Sequence, residues 1–251
     1  MGSQGRRVAV VTGGGRGIGA AVARRLAADG AHVAVLDRER TAAAAEIGGL
    51  DVDCDLTEPA SLDAALARVR REMGAPAISV HSAGIGESAP FVETTDEVWN
   101  RALALNVTAA FRLARALVPA MVEARWGRVV NVASIAGLVG QAYVTAYCAS
   151  KHAVVGLTRA MAVELAKTGV TVNAVCPGFV DTEMTQRTVA NIVQKTKRTP
   201  EDARRSLEAM NPQRRLIEPD EVAGLVAMLC GDAARGINGQ AIPIDGGQVT
   251  K

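Results

Sequence analysis

Tyr147 and Lys151 stand four positions apart in a segment with helical periodicity, so their side chains leave one face of a helix. A phenol is a poor proton carrier near neutral pH, its ordinary pKa being about 10. A nearby ammonium favours the phenolate. Such a pair can take a proton from an alcohol as hydride leaves, or return one to a ketone in the reverse direction. Ser134 lies thirteen positions upstream of Tyr147, directly after the apolar run 129–132, which puts its hydroxyl at the end of a buried strand.

A second cluster sits near the start of the chain. An apolar run ends at Thr12 and Gly13-Gly14-Gly15-Arg16-Gly17-Ile18-Gly19 follows, opening a helix. Glycine permits the tight turn at Gly13, close approach of a pyrophosphate at Gly17 and close helix–strand packing at Gly19, with free helix amides facing the phosphates. The next apolar run ends at Asp37, whose carboxylate can accept hydrogen bonds from an adenosine ribose and repels a 2′-phosphate. Arg16 and Arg38 can each hold such a phosphate. The carboxylate takes precedence, so the expected cofactor is NAD, with NADP possible. Asp55, after the third run, is placed to receive an adenine amino group. Thr182, after Cys176-Pro177-Gly178, can bond a nicotinamide carboxamide.

The elements that must position these groups follow from the hydrophobic pattern. Strands are expected at 7–12, 32–36, 50–53, 77–82, 128–132, 170–176 and 241–244. Helices are expected at 18–28, 62–73, 96–122, 145–167 and 219–229. The alternation implies an α/β fold: a single-domain, Rossmann-type, doubly wound parallel sheet of about seven strands with helices on both faces. Ligands of such sheets bind beyond the carboxyl ends of the strands. One domain covers 1–251, and only the long, charged stretch 180–216 breaks the rhythm; it is expected to form a helical substrate lid.

Composition narrows the function. The 251 residues carry 28 Lys+Arg against 26 Asp+Glu, and 3% are aromatic, which argues against a nucleic-acid partner. Cys54, Cys148, Cys176 and Cys230 form no CxxC pair and the three histidines do not supply metal-ligand spacing, so buried free thiols and no metal are expected. No apolar segment reads as a membrane span or a signal, which makes the cytoplasm the expected compartment.

Taken together, these stretches resemble the short-chain dehydrogenase/reductase family along nearly the whole chain. The likeness is carried by 12–19, by Asn106 in Ala104-Leu-Asn-Val107, by Ser134, by Tyr147-Cys-Ala-Ser-Lys151, by 172–178 and by Asp245-Gly-Gly247. It implies a catalytic set of Asn106, Ser134, Tyr147 and Lys151. Tyr147 is the acid/base, Ser134 the carbonyl partner, Lys151 the pKa modifier and ribose anchor, and Asn106 the holder of a helix kink and a water. The implied cofactor set is Gly13, Arg16, Gly17, Ile18, Gly19, Asp37, Arg38, Asp55, Leu56, Ala83, Gly84, Tyr147, Lys151, Pro177, Gly178, Val180 and Thr182. The substrate set is Ser134, Gln141 and Tyr147. A homotetramer is also implied, with the helices around Asn106 and Tyr147 forming one interface. One departure stands out: the family's Asn-Asn-Ala-Gly is His81-Ser82-Ala83-Gly84 here, with His81 read as structural and Ser82 as a partial replacement for the lost amide.

Within the family the chain is similar to ketoreductases of polyketide and fatty-acid type and to dehydrogenases of 3-hydroxyacyl-CoA. Residues 183–215 hold eight basic and four acidic side chains, a net +4 suited to an anionic carrier such as coenzyme A or an acyl carrier protein. The expected reaction is interconversion of a secondary alcohol and a ketone, on a 3-hydroxyacyl/3-oxoacyl thioester. Free cyclic or steroid-like alcohols are the alternative, and a non-catalytic dinucleotide-binding protein is a third reading. Enoyl reduction is disfavoured, because relatives performing it space the tyrosine and lysine more widely.

Overall fold

The computed structural model describes residues 7–39 and 42–250. Seven strands form one parallel sheet: β1 (Val8–Thr12), β2 (His32–Asp37), β3 (Leu50–Asp53), β4 (Pro76–His81), β5 (Gly127–Val132), β6 (Val170–Pro177) and β7 (Ala241–Ile244). Their order is β3-β2-β1-β4-β5-β6-β7. The order reverses between β1 and β4, which opens a crevice at their carboxyl ends, where Thr12 pairs with His81.

Alternate side chains of each strand serve opposite faces. On one face Ala9, Val11, Val33, Val35 and Val80 pack against Ala21, Val22 and Leu26 of α1 (Gly17–Ala28). On the other, Val8, Val10, Ala34 and Leu36 meet the helices of the opposite layer. Five helices lie between β2 and β6: α2 (Ala42–Glu46), α3 (Pro59–Met73), α4 (Asp96–Leu103), α5 (Ala109–Glu123) and α6 (Thr145–Glu164). Leu62 and Leu66 of α3 and Leu113, Leu117 and Met121 of α5 fill the second core. After β6 come α7 (Glu183–Lys195), α8 (Pro200–Glu208) and α9 (Pro219–Cys230), and α9 joins α1 in the first core through Val222 and Val226.

All seven expected strands form, with ends shifted by a residue or so. Three helical expectations are corrected. The short α2 was not expected. The helix expected to reach 167 ends at Glu164, where the chain turns toward β6. The stretch 96–122 is not one regular helix, because a π turn at Ala104–Thr108 separates α4 from α5. The expectation that no segment is apolar and long enough for a membrane span also fails on length and composition, since Asp96–Glu123 meets both. The reason is packing: its apolar face is the one that covers the sheet.

Candidate active site

The glycine turn lies between β1 and α1. Gly13 has φ +61, and a Cβ there would stand 2.8 Å from the Ala83 Cα, so the turn touches the chain leaving β4. A Cβ on Gly19 would stand 2.1 Å from the Gly13 carbonyl oxygen. Ile18 packs into the core behind. Beside the turn, Asp37 Oδ2 accepts from the Gly15 amide at 3.0 Å and Oδ1 from the Arg38 amide at 2.8 Å. Arg16 is engaged by two carboxylates, 3.5 Å each from Glu39 and Glu183. Asp55 Oδ1 accepts from the amide and hydroxyl of Thr57 at 2.9 and 2.6 Å, which holds its carboxyl below the ordinary range. Leu56 is buried beside it. A backbone cradle of glycines with an acidic neighbour fits a dinucleotide pyrophosphate and ribose.

Asn106 is fully buried in the π turn. In that turn the Ala109 amide reaches back five residues to the Ala104 carbonyl. The Asn106 amide nitrogen donates to the Ile85 carbonyl and to Ser150 Oγ, both at 2.9 Å, while its oxygen accepts from the Ile85 amide at 2.9 Å. One side chain thus fixes the loop after β4 against α6, one residue from Lys151.

Ser134 caps a short 3-10 turn at the end of β5, its Oγ accepting from the Ala136 amide at 3.1 Å. Ser134 also acts on the half-buried Tyr147 phenol, pulling its pKa down. Lys151 is buried and donates to the Val132 carbonyl at 2.8 Å. Its Nζ lies 5.6 Å from the centre of the Tyr147 ring. Gly84 and Gly86 line the opposite wall: a Cβ on Gly84 would be 3.5 Å from Lys151 Nζ, and one on Gly86 only 3.1 Å from Tyr147 Cδ2. Gly86 was missed in the sequence, although the Gly84-Ile85-Gly86 spacing is visible there.

Burial raises the Tyr147 phenol, and Ser134 pulls it back down. Burial also lowers Lys151 to about 8. The Val132 carbonyl takes the ammonium, and the dry surroundings disfavour charge on both groups.

Residues 13–248 match the family described as enoyl-(acyl carrier protein) reductase. A D-beta-hydroxybutyrate dehydrogenase of Cupriavidus necator is 37% identical, the match covering 98% of both chains. The granaticin polyketide synthase putative ketoacyl reductase 1 of Streptomyces violaceoruber is also 37% identical, over 98% of this chain and 94% of that one. A variant of actinorhodin polyketide ketoreductase, solved with NADPH, superposes with a TM-score of 0.92 at 36% identity, covering 96% of this chain and 97% of that one. The chain is a short-chain dehydrogenase/reductase. The likeness to 3-hydroxyacyl-CoA dehydrogenases is not sustained, those enzymes being a different family from the ketoreductases found here.

In this short-chain dehydrogenase/reductase the altered β4 end is rebuilt around Thr12. Its Oγ1 accepts from the Ser82 and Ala83 amides at 3.2 and 3.3 Å and lies 3.1 Å from His81 Nδ1. The Thr12 hydroxyl and Nδ1 share one hydrogen bond, and the buried Nε2 has no hydrogen-bond partner among the described residues. His81 is fully buried and its pKa falls to about 3, so it stays neutral. Ser82 takes its part in this bonding through its backbone amide.

Farther along the edge, Gly178 donates to the Ile244 carbonyl at 3.0 Å, after Pro177 closes β6. Val180 bridges to Ile217, and its carbonyl accepts from Thr185 at 2.6 Å and Thr182 at 3.4 Å. Gln141 is half-buried in the loop before α6. Helix α7 is tied across the mouth by Asn191 Nδ2 to Ser88 Oγ at 2.7 Å and Lys195 Nζ to the Ser88 carbonyl at 3.3 Å. Half of the eight basic side chains of 183–215 are neutralised in place. Arg204 binds Asp181 and Glu208, Arg205 binds Asp202, Arg215 binds Glu221 and Arg187 meets Glu183. All four cysteines are free, and Cys148 corrects the buried expectation by being half-exposed.

Lys151 gives a pH test of this burial. An unfolded lysine titrates near 10.5 and the folded one near 8, so between them the unfolded chain holds the extra proton and stability rises with pH. Urea unfolding of the protein and its Lys151→Met variant should show the difference moving in the parent's favour as pH goes from about 8 toward about 9. Parallel curves would mean that Lys151 is solvated.

Proposed function

We propose that the protein interconverts a secondary alcohol and a ketone with a nicotinamide dinucleotide, at Ser134, Tyr147 and Lys151. The observation that carries this is the convergence, on one sheet edge, of a glycine cradle, a half-buried phenol beside Ser134, and a buried lysine one residue from the Asn106 anchor. A bound nicotinamide ring supplies the hydride acceptor in one direction and the donor in the other.

The chain's own groups handle the proton. Tyr147 Oη passes it to the ketone oxygen on reduction and removes it from the alcohol on oxidation. Ser134 Oγ, fixed by the Ala136 amide, gives its hydrogen to the reacting oxygen and orients it toward Tyr147. Lys151 holds the nicotinamide ribose and, as an ammonium, favours the phenolate. Asn106 keeps the 84–86 wall in place. The cradle set of Gly13, Gly17, Gly19, Asp37, Asp55, Ala83 and Gly84 holds the adenosine and pyrophosphate side, with Pro177, Gly178, Val180 and Thr182 on the nicotinamide side.

NAD is the favoured cofactor in this reading. Asp37 faces the turn, Glu39 stands beside it, and Arg16 is already paired with Glu39 and Glu183, which leaves an acidic ribose pocket. The competing observation is the NADPH of the actinorhodin neighbour. For substrate, ketoacyl reductases matched over nearly their full length favour a 3-oxoacyl thioester. The internal pairing of the 183–215 cations favours instead a free cyclic ketone, so both belong in the assay. Segment 180–216 acts as the lid. Exposed Phe111 on α5 and Val163 on α6 suit the helix faces of a homotetramer, and four unpaired thiols suit the cytoplasm.

Three outcomes are expected. Tyr147→Phe should bind cofactor with unchanged affinity by fluorescence titration yet lose turnover by about 10²–10⁴-fold, and retained turnover refutes the acid/base role. In steady-state kinetics kcat/KM with NAD(H) should exceed that with NADP(H), and the opposite order would show that Arg16 or Arg38 dominates the pocket. Acetoacetyl-CoA should be reduced more efficiently than free acetoacetate, and equal rates remove the carrier from the reading.

A further inference from the structure

The loop 138–144 carries a feature the mechanism does not use. Tyr143 has φ +65, in the left-handed region that a bulky side chain rarely enters. Burial is not the reason, because the residue is 65% exposed. Its carbonyl is held instead: the Ala89 amide donates to it at 2.9 Å, and the next carbonyl, of Val144, caps α6 by accepting from Cys148 at 2.7 Å. A glycine or asparagine would satisfy this backbone with less strain. The chain has only two tyrosines, and this one stands four residues before the other, Tyr147.

The Ala89 contact also brings Tyr143 to the loop bearing Phe91, which is 75% exposed. The same loop is pinned to α7 by Asn191 and Lys195, and Met184 in the first turn of α7 is exposed as well. Two segments beside Tyr147, the loop before α6 and the loop after β4, therefore each present a large aromatic side chain to solvent, in a chain with only 3% aromatic residues. A strained residue persists where its surroundings over-determine it, and such residues cluster at ligand-binding sites. Exposed apolar groups gathered at the mouth of a cleft mark the surface that meets an apolar ligand.

We propose that Tyr143 is a specificity-determining residue that lays an aromatic face against a flat, apolar ring of the substrate beside the reacting carbonyl. This rests on the ketone/alcohol reading above. It assigns selectivity for cyclic or aryl ketones over open-chain ones to a position four residues from the proton carrier.

The test compares 2-tetralone with 2-decanone, which have equal carbon counts, in the parent, Tyr143→Asn and Tyr143→Phe. Asparagine tolerates the left-handed backbone without the ring, and phenylalanine keeps the ring. The parent should favour 2-tetralone. Tyr143→Asn should lose about three- to tenfold of that preference through KM, with kcat within about twofold and Tm no lower than the parent's. Tyr143→Phe should keep the preference. An unchanged preference in Tyr143→Asn, equal losses on both ketones, or a Tm lowered by several degrees overturns the proposal alone. A parent that reduces neither ketone nor acetoacetyl-CoA with either cofactor overturns the ketoreductase reading, and the proposal with it.

Discussion

An ammonium loses a great deal when it leaves water, and Lys151 leaves it almost completely. What replaces water is a single strong acceptor, the Val132 carbonyl at the last residue of β5. That carbonyl is free to accept because β5 stops there and the chain turns away at Ser134. The position of Lys151 therefore depends on the strand's length, and the length depends on the pairing of Val132 with Val175 of β6. Four residues earlier on the same helix face, the Tyr147 phenol is dried by the same walls and raised for the same reason. The site is a place where charge is poorly solvated, and that makes each arriving charge effective.

Keeping the walls in place falls to backbone bonding as much as to packing. Asn106 directs both ends of its amide to Ile85 and Ser150, and the π turn that carries it is what turns the side chain inward from an otherwise regular helix. The loop it fixes lies so close that a Cβ on Gly84 would press on Asn106 and one on Gly86 on the Tyr147 ring. At the other end of the crevice Thr12 gathers two amides and an imidazole, tying β1 to β4 where the sheet order reverses. The two anchors stand on either side of the chain leaving β4, so the glycine cradle and the phenol share one rigid boundary.

Much of this was legible in the residues. Apolar runs of the right length located every strand, since a doubly covered parallel sheet needs them. Tyr147 and Lys151 announced a common face by spacing, and Gly13 to Gly19 announced a turn. What the sequence hid were effects of three-dimensional company. The break at Ala104–Thr108 falls inside a continuous helical pattern, so periodicity alone cannot reveal it, and only the family resemblance pointed to a kink at Asn106. The carbonyl that takes the Lys151 ammonium belongs to β5, a contact that spacing along α6 cannot show. The positive stretch 183–215 looked like a free anion site because Asp181 and Glu221, which hold Arg204 and Arg215, lie outside its bounds.

That last point bears on what the mouth of the cleft recognises. Exposed ion pairs add little stability, but they do remove cations from the pool available to a passing phosphate. Once Arg187, Arg204, Arg205 and Arg215 are paired, the cations left on 183–215 lie at the carboxyl end of α7, in 195–198, and at Arg214, which sits in a turn. On the two loops beside Tyr147 the exposed Tyr143 and Phe91 are aromatic, and Lys195 reaches the second of these loops at Ser88. Held at the Ser88 carbonyl, Lys195 puts one of the remaining cations on the same loop as Phe91, so a carrier arm and a ring beside the ketone are compatible demands on one molecule.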